Sequence, residues 1–165
     1  MNEGKYQFAE NDNYYLIKMS GNLKYTGSGG FDTFIENIFS RIENKAIVID
    51  LTEANYLDST NLGIMAKISD KMLTTFEKRT TIISSNPDIT TLLINIGLDE
   101  YFTILDECPE TTTVLSDISE MVTGNRGMAL MMLEAHKSLM DMNEKNKGVF
   151  SSVVDLLEKE VGKEV

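Results

Sequence analysis

The chain has 165 residues, 42% of them apolar, and a formal net charge of -11. That length gives one ordinary core with room for an appendage, and nowhere do about 18 apolar residues run uninterrupted, as a bilayer-spanning helix needs. The acidity repels polyanions, so neither nucleic acid nor a membrane surface is an expected partner, and the single cysteine, Cys108, excludes an intramolecular disulfide and a cysteine-rich zinc site.

The opening "MNEGKYQFAEND" has neither the basic stretch nor the apolar run of a secretory signal, so a cytoplasmic location without membrane insertion is expected. "KYQFAE" and "YYLIKMSG" flank an Asn/Asp cluster and read as a β-hairpin. "TGSGG" reads as a flexible connection into "FDTFIENIFSRIENK", where Phe31, Phe34, Ile35, Ile38, Phe39 and Ile42 recur at helical spacing. "AIVIDL" follows as a buried strand. Met65, Ile68, Met72 and Phe76 then mark a second amphipathic helix, and "RTTIIS" the next strand. "NPDITTLLINIG" has Pro87 in its first turn and Gly97 as a stop. "YFTIL" reads as a last strand and "ETTTVLSDISEMV" as a helix. Strands separated by helices require crossovers, so the expected fold class is α/β, a mixed sheet packed against helices.

Beyond "TGNRG" the character changes. "MALMMLEAHKSLMDMNEKNK" and "VFSSVVDLLEKEV" read as two helices broken near Gly148, an α-helical extension. Six of the ten methionines fall between residues 121 and 142. Methionine suits irregular packing and adaptable surfaces alike. A hairpin packed on its own sheet, a contact with a twin chain and a docking surface for a signalling partner all stay open.

The residues most suggestive of chemistry are in "YLDSTNLGIM". Ser59 lacks the nucleophile elbow of serine hydrolases. The only histidine, His136, lies in the extension, where a surface or interface role is expected and nothing in the sequence brings it to Ser59. Isolated His and Cys make no metal site, "TGSGG" lacks the phosphate-loop lysine, and Asp50 lacks the companions of a phosphoaspartate receiver. No enzymatic activity, metal or cofactor is expected. Asp58, Ser59 and Thr60 are all capping types for a helix start. A phosphoryl group there would meet open amides and the positive end of the helix dipole, and would add about -1.5 to -2 charge.

"AIVIDLTEANYLDSTNLGIMAKISDKM", followed by "TTIISSNPDITTLLINIGLDEYFTIL", resembles the anti-sigma factor antagonists, bacterial STAS-domain proteins. The resemblance covers about residues 5 to 122, and the division it implies is a STAS-like domain at 1–122 with a helical extension at 123–165. It puts Ser59 at the phosphoacceptor position, Asp58 before it, Thr60 as a second hydroxyl and Gly63 as the close-packed helix glycine. Asn61 stands where glycine is usual and Lys24 where many members are acidic. These two, with Tyr25, Asp58, Ser59 and Thr60, are expected on the partner-binding rim. The resemblance implies partner switching without catalysis. The unphosphorylated form binds an anti-sigma factor or serine kinase of the ATPase type, phosphorylation of Ser59 (or secondarily Thr60) releases it, and a PP2C-like phosphatase resets it. A scaffold or assembly subunit using the same fold without phosphorylation is the alternative. A homodimer contact through the C-terminal helices is a further expectation.

Overall fold

The computed structural model describes residues 2–41, 45–107, 114–121 and 124–163. β1 (Lys5–Glu10) and β2 (Tyr14–Leu23) form the antiparallel hairpin, with Phe8 opposite Ile17. Asn11 closes its turn by accepting the amides of Asn13 and Tyr14, both at 2.8 Å. A 3-10 turn at Tyr25–Gly27 leads into α1 (Gly29–Arg41). "TGSGG" is therefore turn and first helical turn rather than a flexible connection, with Gly29 and Gly30 buried. Ile42, the last member of the α1 stripe, lies outside the described residues.

β3 (Ala46–Asp50) pairs parallel with the first half of β2, and β4 (Ala54–Leu57) pairs parallel with its end. α2 (Ser59–Phe76), β5 (Thr80–Ile83), α3 (Pro87–Ile96) and β6 (Phe102–Leu105) follow, β5 and β6 extending the parallel side. Among the described residues the sheet has seven strands in the order β6-β5-β3-β2-β1-β7, with β4 attached to β2. The chain is α/β, as its alternation of strands and helices predicts.

Three elements differ from the sequence expectation. β4 has no separate signal in the sequence; it forms because β2, at ten residues, outruns β3 and leaves backbone groups to satisfy. The helix expected over residues 110–122 falls partly outside the described residues. Where it is described, Ser116–Asp117 is instead a short strand, β7, antiparallel to β1. Residues 116–118 satisfy the open edge of β1, and Ile118 donates its amide to the Tyr6 carbonyl at 2.9 Å. The third difference is in the C-terminal region. α4 (Asn125–Met140) ends well before Gly148, which lies inside α5 (Glu144–Gly162).

That break is built by asparagines. Asn143 caps α5, accepting the Asn146 amide at 2.8 Å. Asn146, fully buried, donates to the Ile96 carbonyl at 2.9 Å and to the Leu139 carbonyl at 3.0 Å. The end of α3 and the end of α4 are thus tied together, which outweighs the cost of about 1 kcal/mol for a glycine inside a helix. Tyr101 adds a 2.7 Å bond to the Met142 carbonyl. The hairpin of α4 and α5 shares the central core: Met131, Ala135, Leu139 and Phe150 join Ile17, Ile49, Leu62, Met65 and Ile82 in one cluster. Met128, Met132, Met140 and Met142 pack against it half-buried. The division between Val122 and Thr123 lies outside the described residues.

Candidate functional site

The motif sits where β4 turns into α2. Asp58 is extended and caps the helix, its Oδ1 accepting the Asn61 amide at 3.0 Å. Its own amide donates to the Leu23 carbonyl at 3.0 Å, and its Oδ2 accepts the Tyr25 amide at 2.5 Å. One carboxylate therefore pins the end of β2 and the 3-10 turn to the start of α2. Ser59 follows as the first helical residue, half-buried.

Asn61 is completely buried, not on the rim where the resemblance puts it. Its Nδ2 donates to Asp58 Oδ1 at 2.9 Å, and its Oδ1 accepts the Tyr6 hydroxyl at 2.5 Å. Burial first, then the Asp58 charge, push the Tyr6 phenol well above its ordinary value, against the opposing pull of the Asn61 bond. Tyr6 is therefore a fixed donor, which settles which way the Asn61 amide points. Its ring stacks on Phe31 at 4.8 Å. Asn61→Ala strands a buried phenol and removes a donor from Asp58, a loss of about 2 kcal/mol from unsatisfied groups. Urea unfolding measures it; a midpoint unmoved by the substitution contradicts the network.

Thr60 is 2% exposed and faces the core, so its hydroxyl is not available to a modifying enzyme in this conformation. Lys24 is exposed beside the 3-10 turn and lines a groove of about 690 Å³ with Tyr6, Asn22 and Met128. Tyr25 is 42% exposed, and Tyr56 on β4, which no sequence motif singles out, is 49% exposed. Tyr56 stands two residues before Asp58, and Tyr25 is tied to Asp58 through its amide. Both open tyrosines are thus anchored next to the motif.

The largest departure concerns His136, expected at a surface or interface away from the motif. It is 3% exposed, and its Nε2 lies 2.8 Å from Ser59 Oγ. Its Nδ1 lies 2.6 Å from the Met132 carbonyl oxygen, which can only accept, so Nδ1 carries a proton. In the neutral ring Nε2 is then an acceptor, and the Ser59 hydroxyl donates to it. Phe150 meets the ring edge-on at 5.7 Å.

α4 reaches Ser59 because α2 carries Gly63 four residues on. A Cβ at that position would lie 2.2 Å from the Ala135 carbonyl oxygen, so only glycine admits the α4 backbone this closely. Lys67, one turn further, binds Asp32 at 2.9 Å, Glu36 at 3.3 Å and Glu134 at 3.4 Å, joining α1, α2 and α4. Desolvation lowers the Lys67 pKa, but the Asp32 hydrogen bond and the three carboxylates outweigh it, and the net direction is upward. Its contribution is thus present below the ordinary lysine value and is lost as pH rises through the raised one.

Chemically, a serine hydroxyl donating to an imidazole is the arrangement of a nucleophile and its base, here with a backbone carbonyl as the third member. The imidazole is nevertheless enclosed, and neither the groove beside Lys24 nor a second one between α2 and α4, lined by Lys67, Tyr101 and Ser138, includes Ser59 or His136. Among the described residues no helix is long and apolar enough to cross a membrane, and no three His, Cys, Asp or Glu side chains group to hold a metal ion.

The STAS domain family model matches residues 5–111, a span running from β1 past β6 and containing the whole Asp58–Asn61 network. α4 and α5 lie outside the match. By its sequence match and its mixed sheet, with the capped α2 at the tip of β4, the chain belongs to the STAS domain family.

Proposed function

We propose that this chain is a phosphorylation-controlled partner-switching protein, an anti-sigma factor antagonist, with Ser59 as the switch. The observation that carries the reading is the placement of Ser59. It is the first residue of a long helix, half-buried rather than sealed, while Thr60 and Asn61 beside it are fully committed to the interior. In its unmodified state the motif offers a partner an uncharged hydroxyl at Ser59 beside the exposed Tyr25 and Tyr56. The partner is a cytoplasmic anti-sigma factor or serine kinase of the ATPase type. The kinase moves the γ-phosphoryl group of ATP to Ser59 Oγ, ADP leaves, and the hydroxyl proton is lost. A PP2C-like phosphatase then hydrolyses the ester with water, releasing inorganic phosphate and restoring the hydroxyl. The phosphate adds like charge beside Asp58 and a desolvation cost at any interface shaped for a hydroxyl. A homodimer through the C-terminal helices would use the exposed Val149, Val153 and Leu156 on α5.

The test exposes the full chain to candidate serine kinases with ATP and maps phosphate by mass spectrometry. Phosphate is expected at Ser59 and not at the buried Thr60. A Ser59→Ala chain is expected to retain the partner and Ser59→Asp to bind it weakly. Equal binding by both would favour an unregulated scaffold or assembly subunit.

The 2.8 Å pair of Ser59 and His136 supports a second reading, a small hydrolase. It predicts ester turnover that disappears in both Ser59→Ala and His136→Ala. The enclosure of His136 favours the binding reading over it.

A further inference from the structure

The hairpin of α4 and α5 lies outside the span that carries the family match, yet its His136 makes a direct side-chain contact to Ser59. That contact reads chemical state. The His136 ring is oriented by the Met132 carbonyl so that its Nε2 accepts the Ser59 proton. A phosphorylated Oγ has no proton to give, and it brings about two negative charges to an enclosed ring edge packed on Phe150.

Room is short there. One helical turn from Ser59, the Ala135 backbone lies so close to α2 that even a methyl group at Gly63 would overlap it. The Asp58 carboxylate stands beside the serine with the same sign of charge as the phosphate. Lys67, the cation tying α4 to α2, is already held by Asp32, Glu36 and Glu134. Held against α4, a dianion also carries the desolvation cost of an enclosed site.

We propose that the α4–α5 hairpin is a built-in occupant of the face beside Ser59, seated on α2 by its apolar packing, with the His136 bond reading the unmodified hydroxyl, and driven off α2 by phosphorylation. It rests on the reading of Ser59 as a phosphoacceptor. The hairpin is then a second reader of the switch, within the same chain. In the unmodified protein it shields one flank of the serine and leaves the tyrosine lip to a partner. In the phosphorylated protein it exposes its own Met131, Leu139 and Phe150 together with the Gly63 face of α2.

The experiment compares amide hydrogen exchange in the full chain carrying serine or genetically encoded phosphoserine at position 59. Exchange over residues 125–140 is expected to rise about tenfold or more with the phosphate, while β3 and β5 keep their protection. Ser59→Ala, which removes the bond without adding charge, is expected to loosen α4 clearly less than the phosphate does. Unchanged or increased protection of α4 in the phosphoprotein overturns the proposal, as does loosening of equal size in Ser59→Ala. Phosphate that abolishes partner binding while α4 stays protected would leave the switch standing and remove only the hairpin's part in it. Loosening of α4 with partner affinity unchanged would do the reverse.

Discussion

Gly63→Ala destabilises the protein by about 1–3 kcal/mol, the range of an overpacked contact, although the same change in an open helix would stabilise by about 1 kcal/mol. The sign reverses because the added Cβ falls 2.2 Å from the Ala135 carbonyl oxygen and 2.5 Å from its carbon. Both are backbone atoms, so no change of rotamer relieves the overlap. α4 must withdraw as a unit, and His136, the next residue, carries its ring away from Ser59. In a chain of this size each kcal/mol lost is about 2–4 °C of melting temperature, which calorimetry resolves. Adding Ala135→Gly removes only the methyl contact at 2.7 Å and leaves the carbonyl in place, so it restores little. A raised melting temperature in Gly63→Ala would mean that α4 does not rest on that glycine.

Phosphate on Ser59 weakens partner binding by about a hundredfold or more. That magnitude follows from a few kcal/mol of desolvation and like-charge cost, at about 1.4 kcal/mol for each tenfold in affinity. Ser59→Asp carries one negative charge on a shorter group, and its loss is smaller but in the same direction. Salt separates the two sources of the effect. Repulsion from exposed charge is screened at high ionic strength, whereas the loss of a neutral donor is not. Part of the hundredfold is therefore expected to survive in concentrated salt.

Much of the fold is legible in the sequence alone. The stripe through Phe31, Ile35 and Ile38, the buried run "AIVIDL" and the Pro87-to-Gly97 helix are local signals, and each is the expected element in the folded chain. That one of Asp58, Ser59 and Thr60 caps α2 is legible for the same reason, and the structure selects Asp58, whose partner Asn61 is three residues away. What stays hidden is non-local. Asn61 has the composition of a surface residue, and its burial depends on the Tyr6 hydroxyl, 55 positions distant. Ser116–Asp117 is a strand only because the edge of β1 is there to pair with it. The break between α4 and α5 follows Asn143 and Asn146 because the Ile96 carbonyl accepts from both. His136 carries no signal at all, its relation to Ser59 spanning 77 positions and arising from the fit of Ala135 on Gly63.

The most direct measurement is a calorimetric titration of the partner retained by Ser59→Ala into the wild-type full chain, with position 59 either unmodified or quantitatively phosphorylated. A switch at Ser59 predicts tight binding to the unmodified chain and a dissociation constant about a hundredfold larger, or beyond detection, for the phosphoprotein. Dissociation constants within about twofold of each other would contradict it, because the charge at the start of α2 would then decide nothing about who docks there.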